Sequence, residues 1–231
     1  MTMASFETNR ISPRTVIGLV TAIAATDVVV NVLAPEDAKI PLKLAIAAGF
    51  AAWARWSARL SWDDLGLGRA HVRNGLRLGA LALLAIGVVI LVLVAVPGTR
   101  SYFDDSSVAA DSTAQRVLQP LLFIPLGTVV FEELIFRGVL LAVLQRVWSR
   151  TASLVVSAVC FGLWHLPPAL RGASDKGAAA AVGVVVGTIA VTTVAGAAFA
   201  WLRLRSGSLI APMMAHLATN SLAYAAAVAV V

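Results

Sequence analysis

The chain has 231 residues, of which 59% are hydrophobic and 13% are charged, and its formal net charge is +6. Because soluble domains carry about 25% charged residues, this composition excludes an ordinary soluble protein. The basic residues fall between apolar segments, as is typical of loops that set membrane topology, so we expect a lipid bilayer and no nucleic-acid partner. We predict an all-α, polytopic protein of the cell membrane.

Seven apolar segments follow one another along the chain, and several reach the roughly 20 residues that cross a hydrocarbon core. They cover 15–33, 41–56, 76–96, 118–147, 152–166, 177–202 and 208–230. Arg-bearing connections alternate with acidic or mixed ones, which predicts a cytoplasmic N-terminus and an external C-terminus. We therefore expect about seven transmembrane helices around a buried polar cavity.

The first segment contains a polar pair, Asp27 and Asn31, which lie four residues apart on one helix face. Two interpretations remain open: the pair belongs to the wall of a polar site, or it is a hydrogen-bonded packing pair. Further along, the Arg-rich connection 55–77 contains the sequence 62–67, which begins with Trp62. This composition predicts a segment on the membrane surface, with Trp62 at the depth of the headgroups.

Helix ends and helix packing are indicated by proline and glycine in the fifth and sixth segments. Pro167 and Pro168 are expected to stop a helix just past His165. Gly183 and Gly187 have the spacing that allows two helix backbones to approach closely, so we expect them to pack within the bundle.

The fourth segment places Glu132, Glu133 and Arg137 within an apolar run. Even low estimates put one charge near mid-membrane at about 2.5–3.5 kcal/mol, so such residues indicate a functional site. Adjacent helical residues point about 100° apart, and the two glutamates therefore cannot face the same way. Glu133 and Arg137 are in the favourable order for an i,i+4 ion pair, which leaves Glu132 free to face a cavity.

Two later segments add polar groups at a matching depth. Phe161 and His165 share one helix face, as do His216 and Asn220. Taken singly, a glutamate pair could hold a cation, and a histidine or a His/Asn pair could serve helix packing. Together, a carboxylate and a histidine can activate water, and a histidine with an amide can stabilise an oxyanion. We predict a hydrolytic site for an amide bond, with the catalytic residues Glu132, His165, His216 and Asn220.

These motifs resemble those of the CAAX prenyl endopeptidase and bacteriocin-processing (CPBP, or Abi) family of intramembrane endopeptidases. The family patterns Glu-Glu-x-x-x-Arg, Phe-x-x-x-His and His-x-x-x-Asn are present in order at 132–137, 161–165 and 216–220. The resemblance covers about 115–225, and 62–67 is similar to an upstream family pattern. We expect one integrated membrane domain, with N-terminal helices and an interfacial segment in 1–114 and the catalytic core in 115–231.

The resemblance implies a glutamate-type endopeptidase that needs no cofactor. Glu132 and His165 would activate water, and His216 with Asn220 would hold the oxyanion. The residues in structural support would be Glu133, Arg137 and Phe161. The expected partner is a peptide or membrane-protein substrate.

Three alternatives remain open. The first is a zinc-dependent protease with Glu132, His165 and His216 as ligands and water in the fourth position. The chain contains no His-Glu-x-x-His helix, which weakens that alternative. The second is a non-catalytic membrane scaffold or regulator. The third is a cation or proton transporter that uses Glu132 and Asp27.

Overall fold

The computed structural model describes residues 11–104 and 106–231. Within these residues the protein contains seven long helices and no β-strand, which confirms the predicted all-α class. Shorter helical pieces lie at Pro97–Arg100, Ser106–Ala110 and Leu166–Gly172. The long helices are α1 (Pro13–Leu33), α2 (Lys39–Trp56), α3 (Val72–Ala95), α4 (113–145), α5 (Arg150–Trp164), α6 (Ala178–Ser206) and α7 (Ile210–Val230).

Five helical stretches in the described part of the chain are long and apolar enough to cross a membrane. They support a multi-pass membrane protein, but they do not reach the predicted count of seven. The two helices outside this set carry more charge: α2 contains Lys39, Lys43 and Arg55, and α4 contains the Glu-Glu-x-x-x-Arg motif. The five stretches are Pro13–Leu33, Arg69–Ala95, Arg150–Gly172, Ala178–Ser206 and Ile210–Val230.

Helix α4 forms the centre of the bundle. Within residues 131–144, every residue except Leu134 is buried. A helix that is apolar on all sides is expected to lie inside a bundle, and α4 contacts α1, α2, α5, α6 and α7. Around it, α5 packs along α6 and α3 packs along α7. The charged motif therefore lies at the core of the fold.

Wide helical turns of the π type occur in α1, α4 and α7. Pro120 and Pro125 contribute to those in α4, because proline lacks the N–H that an α-helical turn requires. Such turns are frequent at functional sites, and here they adjoin all three polar groups recognised in these helices. The turns are Val29–Leu33, Gln119–Phe123, Pro125–Val130, Leu134–Leu140 and Ala218–Leu222.

The chain breaks at His165, where φ is −88° and ψ is 5°, and the helix then resumes over Leu166–Gly172. The helix end that Pro167 and Pro168 predicted near His165 is confirmed, and the two prolines lie in the first turn of the second piece. Proline is tolerated there because the first N–H groups of a helix have no intrahelical partner.

The expected packing role of Gly183 and Gly187 is wrong. A Cβ atom added at either residue would meet no described atom within 4 Å. Helices α5 and α6 approach closely at Gly162 instead, where a Cβ atom would lie 2.0 Å from Thr193 Oγ1. The spacing in sequence identified a helix that can pack closely, but it could not show which face the neighbour uses.

The connection between α2 and α3 folds against the ends of other helices. Leu65 is fully buried, and the carbonyl of Gly66, whose φ is +76°, accepts a hydrogen bond of 2.9 Å from the Leu209 N–H. Arg203 donates to the carbonyl of Asp64 at 2.8 Å. A Cβ atom at Gly66 would lie 2.2 Å from Arg203 Nε, so both its backbone angle and its neighbour require glycine. Trp62 is exposed, and the bilayer depth predicted for it stays a prediction.

Asp64, in the connection between α2 and α3, forms an ion pair of 2.7 Å with Arg146 at the end of α4. Burial alone would raise the pKa of Asp64. Hydrogen bonds from the Ser61 N–H and hydroxyl, each 2.8 Å, and the Arg146 guanidinium outweigh this effect, so the pKa of Asp64 lies below its ordinary value.

Candidate active site

Glu133 joins α4 to α7 at the centre of the bundle. Its Oε1 accepts a hydrogen bond of 2.9 Å from Arg137 Nη1, and both side chains are fully buried. The same oxygen accepts a hydrogen bond of 2.8 Å from His216 Nδ1. The i,i+4 ion pair is thus present as predicted, and it also holds a histidine of the seventh helix.

Arg137 is enclosed by groups that compensate its buried charge. Besides the ion pair, its Nη2 donates to the carbonyl of Gly196 at 3.3 Å. Its guanidinium lies 3.9 Å from the ring centroid of Phe161 and 5.2 Å from that of Phe199. Aromatic faces attract cations most strongly where water is excluded. The structure therefore places Phe161 where it stabilises the ion pair.

The adjacent carboxylate, Glu132, makes different contacts. Its side chain is buried, and its Oε1 accepts a hydrogen bond of 3.1 Å from Trp164 Nε1. Its Oε2 has no hydrogen-bond partner among the described residues and lies 3.8 Å from His216 Nε2. This separation is too long for a direct hydrogen bond.

His216 and Asn220 form a hydrogen-bonded pair on α7. Because a carboxylate oxygen can only accept, His216 Nδ1 donates to Glu133, and its Nε2 then accepts from Asn220 Nδ2 at 3.2 Å. The imidazole also stacks on Phe199, with ring centroids 4.9 Å apart and an interplanar angle of 24°. The ring is therefore held on three sides, while the second amide hydrogen of Asn220 remains for another acceptor.

His165 lies at the break after α5. Its Nδ1 donates to the carbonyl of Phe161 at 2.8 Å, so in the neutral ring Nε2 is an acceptor. The rings of His165 and His216 both contact the ring of Phe161, with centroids 4.8 Å and 5.9 Å away. In the described part of the chain, no hydrogen bond joins His165 to Glu132 or to His216. Two of the predicted catalytic residues, His165 and His216, thus share Phe161 as a neighbour.

The residues of the zinc alternative do not form a ready ligand set. Within residues 11–104 and 106–231, no group of three or more His, Cys, Asp and Glu side chains is arranged to hold a metal ion. Both ring nitrogens of His216 have hydrogen-bond partners, and His165 directs Nδ1 to a backbone carbonyl.

Sequence reasoning missed three contributors to this site. Trp164 holds Glu132, Phe199 stacks on His216, and Gly196 supplies a carbonyl to Arg137. A signal existed for Trp164, because a buried indole N–H needs an acceptor and a carboxylate was expected nearby. Phe199 and Gly196 lie in α6, which carries no polar motif, so nothing in the sequence pointed to them.

The Asp27–Asn31 pair on α1 faces the site from the other side. Asn31 Nδ2 donates to Asp27 Oδ1 at 2.6 Å, and the Asn31 carbonyl accepts from Arg171 Nη1 at 2.8 Å. Asp27 is also close enough to interact electrostatically with His165 and Glu132. The hydrogen bond within the pair is therefore present, and a role of the pair in the wall of the site stays a prediction.

The fold and the site together define a multi-pass helical membrane protein with a buried cluster of carboxylates, histidines and an amide. Residues 114–222, slightly under half of the chain, match the family model of the type II CAAX prenyl endopeptidase Rce1-like proteins. This match confirms the resemblance inferred from the three motifs, all of which lie inside it, and it supports a protease of the intramembrane kind. Comparisons with curated proteins and with solved structures give no significant match.

Proposed function

We propose that the protein is an endopeptidase of the cell membrane that hydrolyses a peptide bond in a peptide or membrane-protein substrate with water activated by Glu132. The observation that carries this proposal is the unpaired Oε2 of buried Glu132, 3.8 Å from His216 Nε2. A buried polar atom without a partner is costly, and a catalytic role is one reason for its presence. The Arg-rich connections support a cytoplasmic N-terminus and an external C-terminus.

In the first step, the oxygen of a water molecule attacks the carbonyl carbon of the scissile bond while Glu132 takes a proton from that water. Because Trp164 occupies Oε1, the unpaired Oε2 receives the proton. His165 orients the same water through Nε2, the ring nitrogen that is free to accept a hydrogen bond.

The negative charge that develops on the carbonyl oxygen is stabilised from α7. Asn220 donates its second amide hydrogen to this oxygen, and His216 holds that amide in place because its Nε2 accepts the first amide hydrogen. Glu133 fixes the orientation of the His216 ring, because it accepts the hydrogen bond from Nδ1. Glu132 then returns its proton to the leaving nitrogen, the C–N bond breaks, and the products are a carboxylic acid and an amine.

The proposal is tested by peptide cleavage with the purified protein in detergent. The wild type is compared with Glu132→Gln and with Glu36→Gln, a matched control at an exposed residue outside the site. Each is assayed with and without a strong zinc chelator. General base catalysis contributes about 10²–10⁴-fold, so Glu132→Gln should lose at least about 100-fold in kcat, whereas the control should keep its activity.

Each of the other outcomes would indicate a different mechanism or function for this protein. Cleavage that is lost under chelation and restored by zinc means a metalloprotease. Full cleavage by Glu132→Gln means that the water is activated elsewhere. If no peptide is cleaved and Glu132→Gln keeps its effect in cells, the protein is a non-catalytic scaffold or regulator.

A further inference from the structure

A cavity of about 110 Å³ lies between α1 and α5. Most of its wall is apolar and includes Val20, Ile23 and Leu163, whereas Asp27 is the one charged side chain among the described residues that line it. An apolar cavity of roughly 150 Å³ binds benzene, so a space of this size accommodates much of one amino-acid side chain.

The cavity adjoins the candidate active site through Trp164. The indole forms part of the cavity wall and donates its N–H to Glu132 at 3.1 Å. Asp27, on the opposite wall, is close enough to interact electrostatically with Glu132 and His165. A peptide whose scissile bond lies at Glu132 therefore has this cavity within reach of a neighbouring side chain.

Asp27 is a buried carboxylate on the wall of this cavity. Asp27 is 9% exposed, and among the described residues only its Oδ1 accepts a hydrogen bond, from the amide of Asn31. No ion pair among the described residues includes Asp27, although Lys43 and Arg171 are near enough to interact with it electrostatically. A buried carboxylate without a paired cation is costly, so a cation delivered by a ligand would be stabilised there.

We propose that this cavity is a substrate subsite for a basic side chain, Lys or Arg, next to the scissile bond. The aliphatic stem of this basic side chain lies against Ile23 and Leu163, and its cationic end binds Asp27. Basic side chains suit such a site because their stems cover apolar surface while their charge remains at a polar group. A charge-assisted hydrogen bond to a carboxylate then provides the selectivity. The inference rests on the proposed function, because the subsite is defined relative to the peptide bond that is cut.

Cys160 gives a test that does not depend on catalysis, because it is the only cysteine in the chain and it lines the cavity. The rate at which methyl methanethiosulfonate modifies Cys160 is measured by mass spectrometry at fixed pH and ionic strength. The probes are n-butylammonium, which reproduces the lysine side chain, and n-butanol, its neutral analogue of similar size. We expect n-butylammonium to slow the reaction at least about threefold in the wild type and in the exposed control Asp37→Asn. We expect no slowing in Asp27→Asn, and none with n-butanol.

Three results would contradict the proposed subsite. They are equal protection by the two probes, protection that persists in Asp27→Asn, and a Cys160 that does not react in the folded protein. The last result counts because a subsite must be open to its ligand. Asp27→Asn keeps an acceptor for Asn31, so we expect it to fold.

A second test compares two peptides that differ only by Lys or Met beside the cleavage site. Hydrogen bonds to charged groups contribute enough for about a 10-fold to 100-fold preference in kcat/KM for the Lys peptide, and the ratio should fall towards one in Asp27→Asn. Cleavage without such a preference overturns the subsite and leaves the proposed function intact. Full cleavage by Glu132→Gln contradicts the proposed mechanism, whereas the Cys160 assay still reports on the cavity.

Discussion

The buried ion pair between Glu133 and Arg137 makes the sharpest prediction about stability. Replacing Arg137 by Met keeps a side chain of similar length but removes the charge. The substitution leaves Glu133 buried, with His216 as its remaining donor, and it leaves the Gly196 carbonyl without the guanidinium. The structure therefore predicts a loss that comes mainly from an uncompensated buried carboxylate.

The expected magnitude follows from the full burial of both side chains. Removing one partner of a buried ion pair costs about 3–5 kcal/mol. The cation–π contact with Phe161, at 3.9 Å, is lost together with the charge. Adding Glu133→Gln removes the unpaired carboxylate, so the double variant should be more stable than Arg137→Met by at least about 1 kcal/mol, within the range of coupling for residues in contact.

The assay is equilibrium unfolding of the purified protein in detergent, followed by tryptophan fluorescence. Arg73→Met is the matched control, because Arg73 is exposed and surface substitutions usually change stability by less than about 0.5 kcal/mol. The reasoning is refuted if Arg137→Met lies within about 1 kcal/mol of the wild type, below the cost expected for breaking a buried pair. It is also refuted if the double variant is less stable than the single one.

Two further predictions concern Trp164 and Asp64. Trp164→Phe removes the donor to Glu132 but keeps a ring, and leaving a buried acceptor unpaired costs about 1–3 kcal/mol, so kcat should fall roughly 5-fold to 150-fold. The control Trp148→Phe should keep its kcat, and an unchanged kcat in Trp164→Phe would show that this hydrogen bond does not position the base. Because the folded pKa of Asp64 is lowered, its contribution to stability is present above its ordinary pKa and is lost as pH falls through the folded value. Thermal unfolding between pH 6 and about 3 should therefore show a deficit of up to about 1 kcal/mol in Asp64→Asn that narrows towards the acidic end, whereas a constant deficit would contradict the role of the ion pair with Arg146.

The sequence predicted those parts of the site that depend on spacing along one helix. The i,i+4 relation of Glu133 and Arg137 led to an ion pair, and that of His216 and Asn220 led to a shared face, because helical geometry fixes both. The hydrogen bond between Glu133 and His216 was beyond this reasoning. It depends on how α7 is rotated against α4, which packing of the whole bundle decides.

The parts that sequence could not predict share a physical cause. The sequence predicted that a helix ends near His165, but it did not predict that a second helical piece follows at once with Pro167 and Pro168 in its first turn. The predicted count of seven spans is not confirmed, because α2 and α4 carry more charge than the five stretches that are long and apolar enough to cross a membrane. Asp27 was recognised as a polar residue, but its electrostatic interaction with Glu132 could not be predicted, because the two residues are more than a hundred positions apart in the sequence.

The distribution of charged groups suggests that the two parts of the chain have different tasks. The segment 114–222, which matches the family model, holds Glu132, His165, His216 and Asn220. Helices α1 and α2 lie outside that match, yet they bring Asp27 and Lys43 towards the same glutamate, with Lys43 Nζ 5.5 Å from the ring centroid of Phe131. Substitutions in the matched segment should therefore change mainly the rate of hydrolysis, whereas those at Asp27 should change which peptide is cut. A chain with the same three motifs but different polar residues in its first two helices would then keep the chemistry and differ in substrate.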